Sequence, residues 1–314
     1  MPNMTALRAH RRGGPEVLTV EQAPVPVPAE GEVLVAVHAA GITFDELTWD
    51  ETWLRDGIDR TPIIPSHEVS GVVAAVAPGV TDPAVGDEVY GLIRFDRDGA
   101  AAEYVSVPAA DLAARPTSVS HVTSAALPLA GLTAWQALVE HAKVQPGERV
   151  LVHGGAGGVG ALTVELATIL GADVTATVRS DAHELMRELG ADHVIDTRTT
   201  AFDAPGQPYD VVVDTVGGDT LVRSFTVLRP GGRLVTLSAP PPAGMADQFG
   251  VEVTFFIVVP DLGQLARLAR YVDDGRLHVA VAGTFGLERG RAAFESRDQE
   301  PRRSGKTVLV IRDS

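Results

Sequence analysis

The stretch Val150–Gly160, VLVHGGAGGVG, decides the fold of this 314-residue chain. A short apolar run enters it, glycines crowd its middle, and the helical-looking ALTVELATILGA leaves it, followed by a second apolar run, DVTATV. A strand, a glycine-dense turn and a helix opening at the last glycine form a βα unit that holds a pyrophosphate on backbone N–H groups at a helix N-terminus. Gly155, Gly157 and Gly160 have GxGxxG spacing. One glycine permits the tight turn, one lets the backbone approach the diphosphate, and one lets the helix pack closely on the strand. GxGxxG alone is weak, but here a strand precedes it, a helix follows it, and a second strand ends about twenty residues after the middle glycine. The stretch reads as a dinucleotide site, with Gly157, Gly158 and Val159 along the diphosphate.

The end of the second strand selects the dinucleotide. An NAD site places Asp or Glu there to accept hydrogen bonds from the ribose hydroxyls, and that carboxylate repels a 2′-phosphate. This chain reads Thr175-Ala176-Thr177-Val178-Arg179-Ser180. The acidic position, near Thr177, is neutral, while Arg179 supplies a guanidinium fork and Ser180 a hydroxyl donor. NADPH is the expected cofactor. Asp181 works against that reading, and Arg179 as an ordinary solvated residue is the alternative.

Length favours two domains over one core. The apolar fraction of 45% and the charged fraction of 21% are those of a globular protein. A net charge of -15 argues against nucleic-acid and anionic-membrane partners. Cysteine is absent, which removes disulfides, thiol nucleophiles and cysteine-based zinc sites together. The N-terminus has basic residues without an apolar run behind them, and no segment reaches the roughly eighteen apolar residues of a membrane span, so a cytoplasmic protein is expected.

Before the glycine motif, short alternating runs such as EVLVAVHAAGI, HEVSGVVAAVA, DEVYGLI and AEYVSVP are separated by Pro-, Gly- and Asp-rich turns, predicting an antiparallel, barrel-like domain. Between Ser120 and Val144 the pattern turns helical. Thereafter VLVH, DVTATV, HVI, YDVVVDTV and GRLVTL alternate with helical segments, the doubly wound signature of a parallel sheet. VEVTFFIVV reads as a sixth strand. The final KTVLVI is expected to return to the first domain. The expected division is residues 1–120 with 262–314, and 121–261.

In order, GPEVL, AAGITFDEL, IIPSHEVSGVV, VGDEVYG, AALPLAGLTAWQAL, VQPGERVLVHGGAGGVG, LGADHVID, YDVVVDTVGG, LRPGGRLVTLS and GKTVLVI resemble the medium-chain dehydrogenase/reductase superfamily. Within it the chain is most similar to the zinc-free quinone oxidoreductase and ζ-crystallin-like branch. The resemblance implies an α/β protein made of a GroES-like β-rich catalytic domain and a Rossmann domain with a parallel sheet. Zinc alcohol dehydrogenases of this superfamily carry a cysteine in a GIC-like motif, a histidine in a GHE motif and commonly a second cysteine before the helix that leads into the Rossmann domain. This chain has Thr43, His67 and Leu129 at those places, where a catalytic zinc needs about three protein ligands, so no metal is expected. Without a Lewis acid, a quinone or α,β-unsaturated carbonyl is the expected small-molecule substrate, because hydride at a conjugated position leaves a delocalised anion that hydrogen bonds can stabilise.

The resemblance also proposes site residues. Thr43 stands where relatives often have Asn and is a candidate hydrogen-bond donor to substrate or cofactor. Phe44, Trp49 and Trp53 are candidates for the wall of a substrate cavity, with core packing as the alternative. His67 has the ordinary pKa for proton transfer, and can be read as a proton donor, a substrate hydrogen-bond donor or a structural relic satisfied by backbone. On the cofactor side, Thr133 matches a position near the nicotinamide ribose or phosphate, Val216 with Gly217 and Leu237 with Ser238 follow the fourth and fifth strands, and Phe255 and Phe256 resemble the segment that contacts the nicotinamide amide. Relatives of this branch commonly dimerise through an edge strand, so a homodimer is expected. A different reading, an NADPH-binding protein with a structural or regulatory role, and a zinc alcohol dehydrogenase are the competing functions.

Overall fold

A computed structural model describes residues 2–179, 182–298 and 303–312. The chain divides into two compact units: Met1–Leu132 with Val259–Gly275 and Val279–Ser314, and Thr133–Val258 with Arg276–His278. The division lies beyond residue 120 because the helix His121–Ala125 stays with the first unit, its Ala125 packing with Ala39 and Val308 in one small core.

The first unit is built on a seven-stranded sheet. Its central strand is Glu32–Ile42, whose even-spaced valines at 33, 35 and 37 are fully buried, as alternation on a half-buried strand requires. Along one edge this strand pairs with Glu68–Val76. Along the other it changes partner, pairing with Tyr104–Pro108 through Glu32–Ala36 and with Lys306–Val310 through Ala39–Ile42. A register shift between Val37 and Ala39 accompanies the change, the bulge that lets a strand bend around a barrel-like core. The final strand thus pairs antiparallel with the first unit's centre, Thr307 opposite Ile42. Trp53, for which a cavity wall and core packing are the two readings, packs in this core: it is 2% exposed and its indole N–H donates to the carbonyl of Leu47 at 2.9 Å.

The second unit holds six parallel strands: Arg149–His153, Asp173–Val178, His193–Asp196, Tyr209–Asp214, Leu228–Thr236 and Glu252–Phe255. Numbered in that order they lie 3-2-1-4-5-6, the doubly wound arrangement in which ligands dock at the carboxyl ends of the strands where the order reverses. The strands nearest that point, Val150–Val152 and Val211–Val213, are buried on both faces, which explains their unbroken apolar runs. The sixth strand is shorter than VEVTFFIVV suggested and stops at Phe255. The helical stretch before the sheet also differs in detail. Pro128–Trp135 is α-helical, but Gln136–His141 widens to a π-helix. Among the described residues no helix is long and apolar enough to cross a membrane.

Candidate functional site

In the second unit most of the predicted cofactor residues among those described fall at or just after the carboxyl ends of parallel strands, hence along one edge of the sheet. After Arg149–His153 the chain turns at Gly154, whose φ of 73° favours glycine, and enters the helix Gly158–Ile169 with Gly157 as its N-cap. Three glycine tasks separate cleanly. A Cβ on Gly160 would stand 2.1 Å from the Gly154 carbonyl, so only glycine lets the helix start this close to the strand. A Cβ on Gly155 would press on Met186 Sδ at 2.8 Å. At Gly157 the nearest atom is 3.3 Å away and the position is exposed, leaving open backbone for a ligand. No side chain caps the helix, so its first N–H groups and its positive dipole end are available to an anion.

The loop is held from beneath by a chain of hydrogen bonds that sequence reading missed. The Gly154 N–H donates to Thr177 Oγ1 at 3.3 Å, and that oxygen lies 3.2 Å from His153 Nδ1. Ser224 Oγ donates to the Thr220 carbonyl at 2.7 Å, so at 3.0 Å it accepts from His153 Nε2. His153 therefore carries its proton on Nε2, and Nδ1 accepts the Thr177 hydroxyl. Burial holds this imidazole neutral, its pKa pushed down to about 3. Thr177 is accordingly buried, its hydroxyl meeting His153 and the Gly154 amide. Arg179, two residues on, is exposed; Ser180 lies outside the described residues.

Farther along the same edge, buried Asp214 accepts the N–H groups of Val216 and Gly217 at 3.1 and 3.0 Å and lies 3.4 Å from the Ser238 hydroxyl. Gly217 has a φ of 76°, and a Cβ there would collide with Ser238 Oγ at 2.4 Å. The fourth and fifth strand ends are thereby tied together, bringing Val216, Gly217, Leu237 and Ser238 side by side. Phe255 ends the sixth strand, exposed, and the ring of Phe256 lies 4.3 Å from that of His141. Thr133 is buried in the helix that opens this unit.

The first unit gathers a second, unlike set. Thr43 follows the central strand, and antiparallel register carries Lys306 opposite it: Lys306 Nζ donates to Thr43 Oγ1 at 2.9 Å and pairs with Glu68 Oε2 at 2.5 Å. The other Glu68 oxygen accepts the Leu129 N–H at 3.0 Å. Burial raises the Glu68 pKa, opposed by Lys306 and by the amides of Leu129 and Ala130. Gly41 makes room for this carboxylate, since a Cβ there would stand 2.8 Å from Glu68 Oε2 and 2.5 Å from the Ala125 carbonyl. Neither Lys306 nor Gly41 was singled out from sequence, although both lie in quoted motifs, GKTVLVI and AAGIT.

Beside them Glu46 and His67 are buried, 3.9 Å apart. Burial pushes the Glu46 carboxyl up to about 8, against the pull of Lys306 and of the Ser66 amide. Burial, aided by the Arg60 charge, pushes His67 down to about 3. The histidine is buried yet not satisfied by backbone, as neither ring nitrogen makes a hydrogen bond of good geometry, the Arg94 backbone supplying the only compensation. Its ring meets the edge of Phe95 at 5.3 Å, and Trp49 stacks edge-on against the same phenylalanine at 5.0 Å. Phe44 is half-buried against the unit's core. These residues do not suit zinc: the chain has no cysteine, Glu68 is committed to Lys306, and among the described residues no group of three or more His, Asp or Glu side chains can hold a metal ion.

A dinucleotide-type sheet with an open glycine cradle, joined in one chain to a barrel-like β unit, defines an oxidoreductase class that takes a nicotinamide cofactor. Comparison with known proteins agrees. Residues 29–117 match the model of the alcohol dehydrogenase GroES-like domain, and residues 189–309 match that of the zinc-binding dehydrogenases. A 2-haloacrylate reductase of a Burkholderia species is 33% identical, over 91% of this chain and 93% of its own length. A polyketide synthase of Streptomyces halstedii, GfsB, is 35% identical over 90% of this chain, which spans only 5% of that protein. The quinone oxidoreductase of Coxiella burnetii superposes with a TM-score of 0.91 at 28% identity, over 99% of this chain and 100% of that one. The chain belongs to the medium-chain dehydrogenase/reductase superfamily, in its quinone oxidoreductase and enoyl reductase-like branch.

Proposed function

We propose that the protein is an NADPH-dependent reductase that delivers hydride to a quinone or to the conjugated carbon of an α,β-unsaturated carbonyl. The observation that carries the reading is the pairing of an uncapped, open glycine cradle with Arg179 exposed at the end of the second strand, whose own last residues, Thr177, Val178 and Arg179, include no carboxylate to accept ribose hydroxyls. Gly157, Gly158 and Val159 would hold the diphosphate, and Arg179 would meet the 2′-phosphate. When bound, the reduced nicotinamide supplies a hydride. The absence of a ligand set for zinc among the described residues favours acceptors whose product anion is delocalised, since such an anion needs hydrogen bonds and not a metal for its stabilisation. The reductase of 2-haloacrylate and the quinone oxidoreductase among the relatives act, by their names, on acceptors of these two kinds.

Loss of reduced-nicotinamide absorbance, followed with naphthoquinones, simple enones and plain ketones and with NADPH and NADH in turn, tests the reading. Turnover of quinones or enones with NADPH preferred is expected. Turnover confined to plain ketones, or none in the presence of tight NADPH binding, would contradict it. We also propose that two copies associate along the edge strand Glu252–Phe255, where Phe255 and Ile257 are exposed; sedimentation at micromolar protein would show a monomer if this is wrong.

A further inference from the structure

The most unusual cluster outside the nucleotide edge is the buried line Glu68, Lys306 and Thr43, and its hydrogen bonds have a direction. Leu129 donates to Glu68, Glu68 is paired with Lys306, and Lys306 donates to Thr43. A threonine hydroxyl has one hydrogen to give. With Lys306 Nζ donating to its oxygen at 2.9 Å, Thr43 keeps that hydrogen, and among the described residues its hydroxyl donates to nothing. Thr43 is half-buried, while Lys306 and Glu68 behind it are buried. Three features spend sequence on this line: Gly41, which clears the path of the Glu68 carboxylate, the backbone amides that hold it, and the strand register that sets Lys306 opposite Thr43.

We infer that Lys306 is a positioning residue that aims the free O–H of Thr43 at the substrate oxygen on which charge develops during reduction. A cation on the acceptor side of a hydroxyl strengthens that hydroxyl as a donor, and in a buried setting the effect is not screened by water. The inference rests on the reductase reading above. Hydride, carrying two electrons, adds to the conjugated carbon, and the negative charge moves to the substrate oxygen. Thr43 donates a hydrogen bond to that oxygen and keeps its proton, and solvent supplies the proton that completes the product. The role is that of one oxyanion donor, placed by a charged residue that does not itself touch the substrate.

The test uses the full-length protein with NADPH and a naphthoquinone. Thr43→Val is expected to lower kcat by about a hundredfold, the lower end of what losing a single oxyanion donor costs, with little change in the KM for NADPH. Thr43→Ser, which keeps the hydroxyl, restores most of the rate. Lys306→Met lowers kcat similarly, and Thr43→Val combined with Lys306→Met falls no further than the lower of the two, because both remove one interaction. If Lys306→Met fails to fold through stranding Glu68, Lys306→Met with Glu68→Gln removes both charges and is read in the same cycle. A Thr43→Val variant at the wild-type rate, or losses that multiply in the double variant, overturns the inference alone. No wild-type turnover of any quinone or enone overturns the reductase reading, and the inference with it.

Discussion

The two units build their candidate sites from opposite materials. At the glycine loop the second unit uses backbone: Gly154 and Gly160 leave no room for a Cβ, Gly157 leaves the backbone open, and the first N–H groups of the helix that follows have no side-chain cap. At Thr43 the first unit uses buried charge, Glu68 and Lys306 coming from strands at opposite ends of the chain. Backbone sites are written locally, in consecutive residues. Side-chain sites are written in topology, and become visible only when strand register is known.

Substitution at the two tight glycines separates the materials. Gly160→Ala places a Cβ 2.1 Å from a carbonyl oxygen that cannot yield without opening the loop. Overpacking of this kind costs about 1–3 kcal/mol or more, and here it falls on the cradle, so fluorescence titration should show NADPH binding lost while the first unit keeps its fold. Gly41→Ala meets the Ala125 carbonyl at 2.5 Å and Glu68 Oε2 at 2.8 Å, and should do the reverse: dinucleotide binding stays near wild type while kcat and melting temperature fall. Equal loss of binding in both variants would erase the distinction between the sites.

A smaller effect is expected at Arg179. Arg179→Asp replaces the guanidinium with the group that repels a 2′-phosphate, and should raise the Kd for NADPH by one to two orders of magnitude, about 1.4–2.8 kcal/mol, with little change for NADH. Parallel changes for both nucleotides would remove Arg179 from the cofactor site.

A further effect, on stability and not on binding, concerns the buried acid of the first unit. Glu46 titrates at about 8 in the folded chain against an ordinary 4.5. Between those values the folded state holds a proton that the unfolded chain releases, so stability falls as pH rises through the window. Gln cannot titrate, and the melting temperature of Glu46→Gln relative to wild type should therefore climb from below pH 4.5 to above pH 8. His67 acts from the other side: with its pKa near 3 in the folded chain and 6.5 ordinarily, it withdraws stability as pH falls below 6.5. A flat difference between the Gln variant and wild type would mean that Glu46 is not buried as a neutral acid.

Much of this architecture was legible in sequence. The six strands of the parallel sheet were readable because buried parallel strands are short apolar runs bounded by turns. The glycine loop was readable because each glycine answers a local steric demand. Three things were not. Thr177 has the position of a phosphate-site residue, but its inward orientation depends on His153 across the strand, which no linear pattern reveals. Trp53 looks the same on a cavity wall as in a core, and only packing decides. Lys306 was hidden for the reason that makes it useful: its partners are Thr43 and Glu68, more than two hundred residues away in the chain and adjacent in the sheet.

The most direct test of the central claim follows the hydride itself. The protein, given NADPH carrying deuterium at the transferable position and a simple enone, is expected to place deuterium on the carbon β to the carbonyl, yielding a saturated ketone. Deuterium on the carbonyl carbon, yielding an allylic alcohol, would contradict the account.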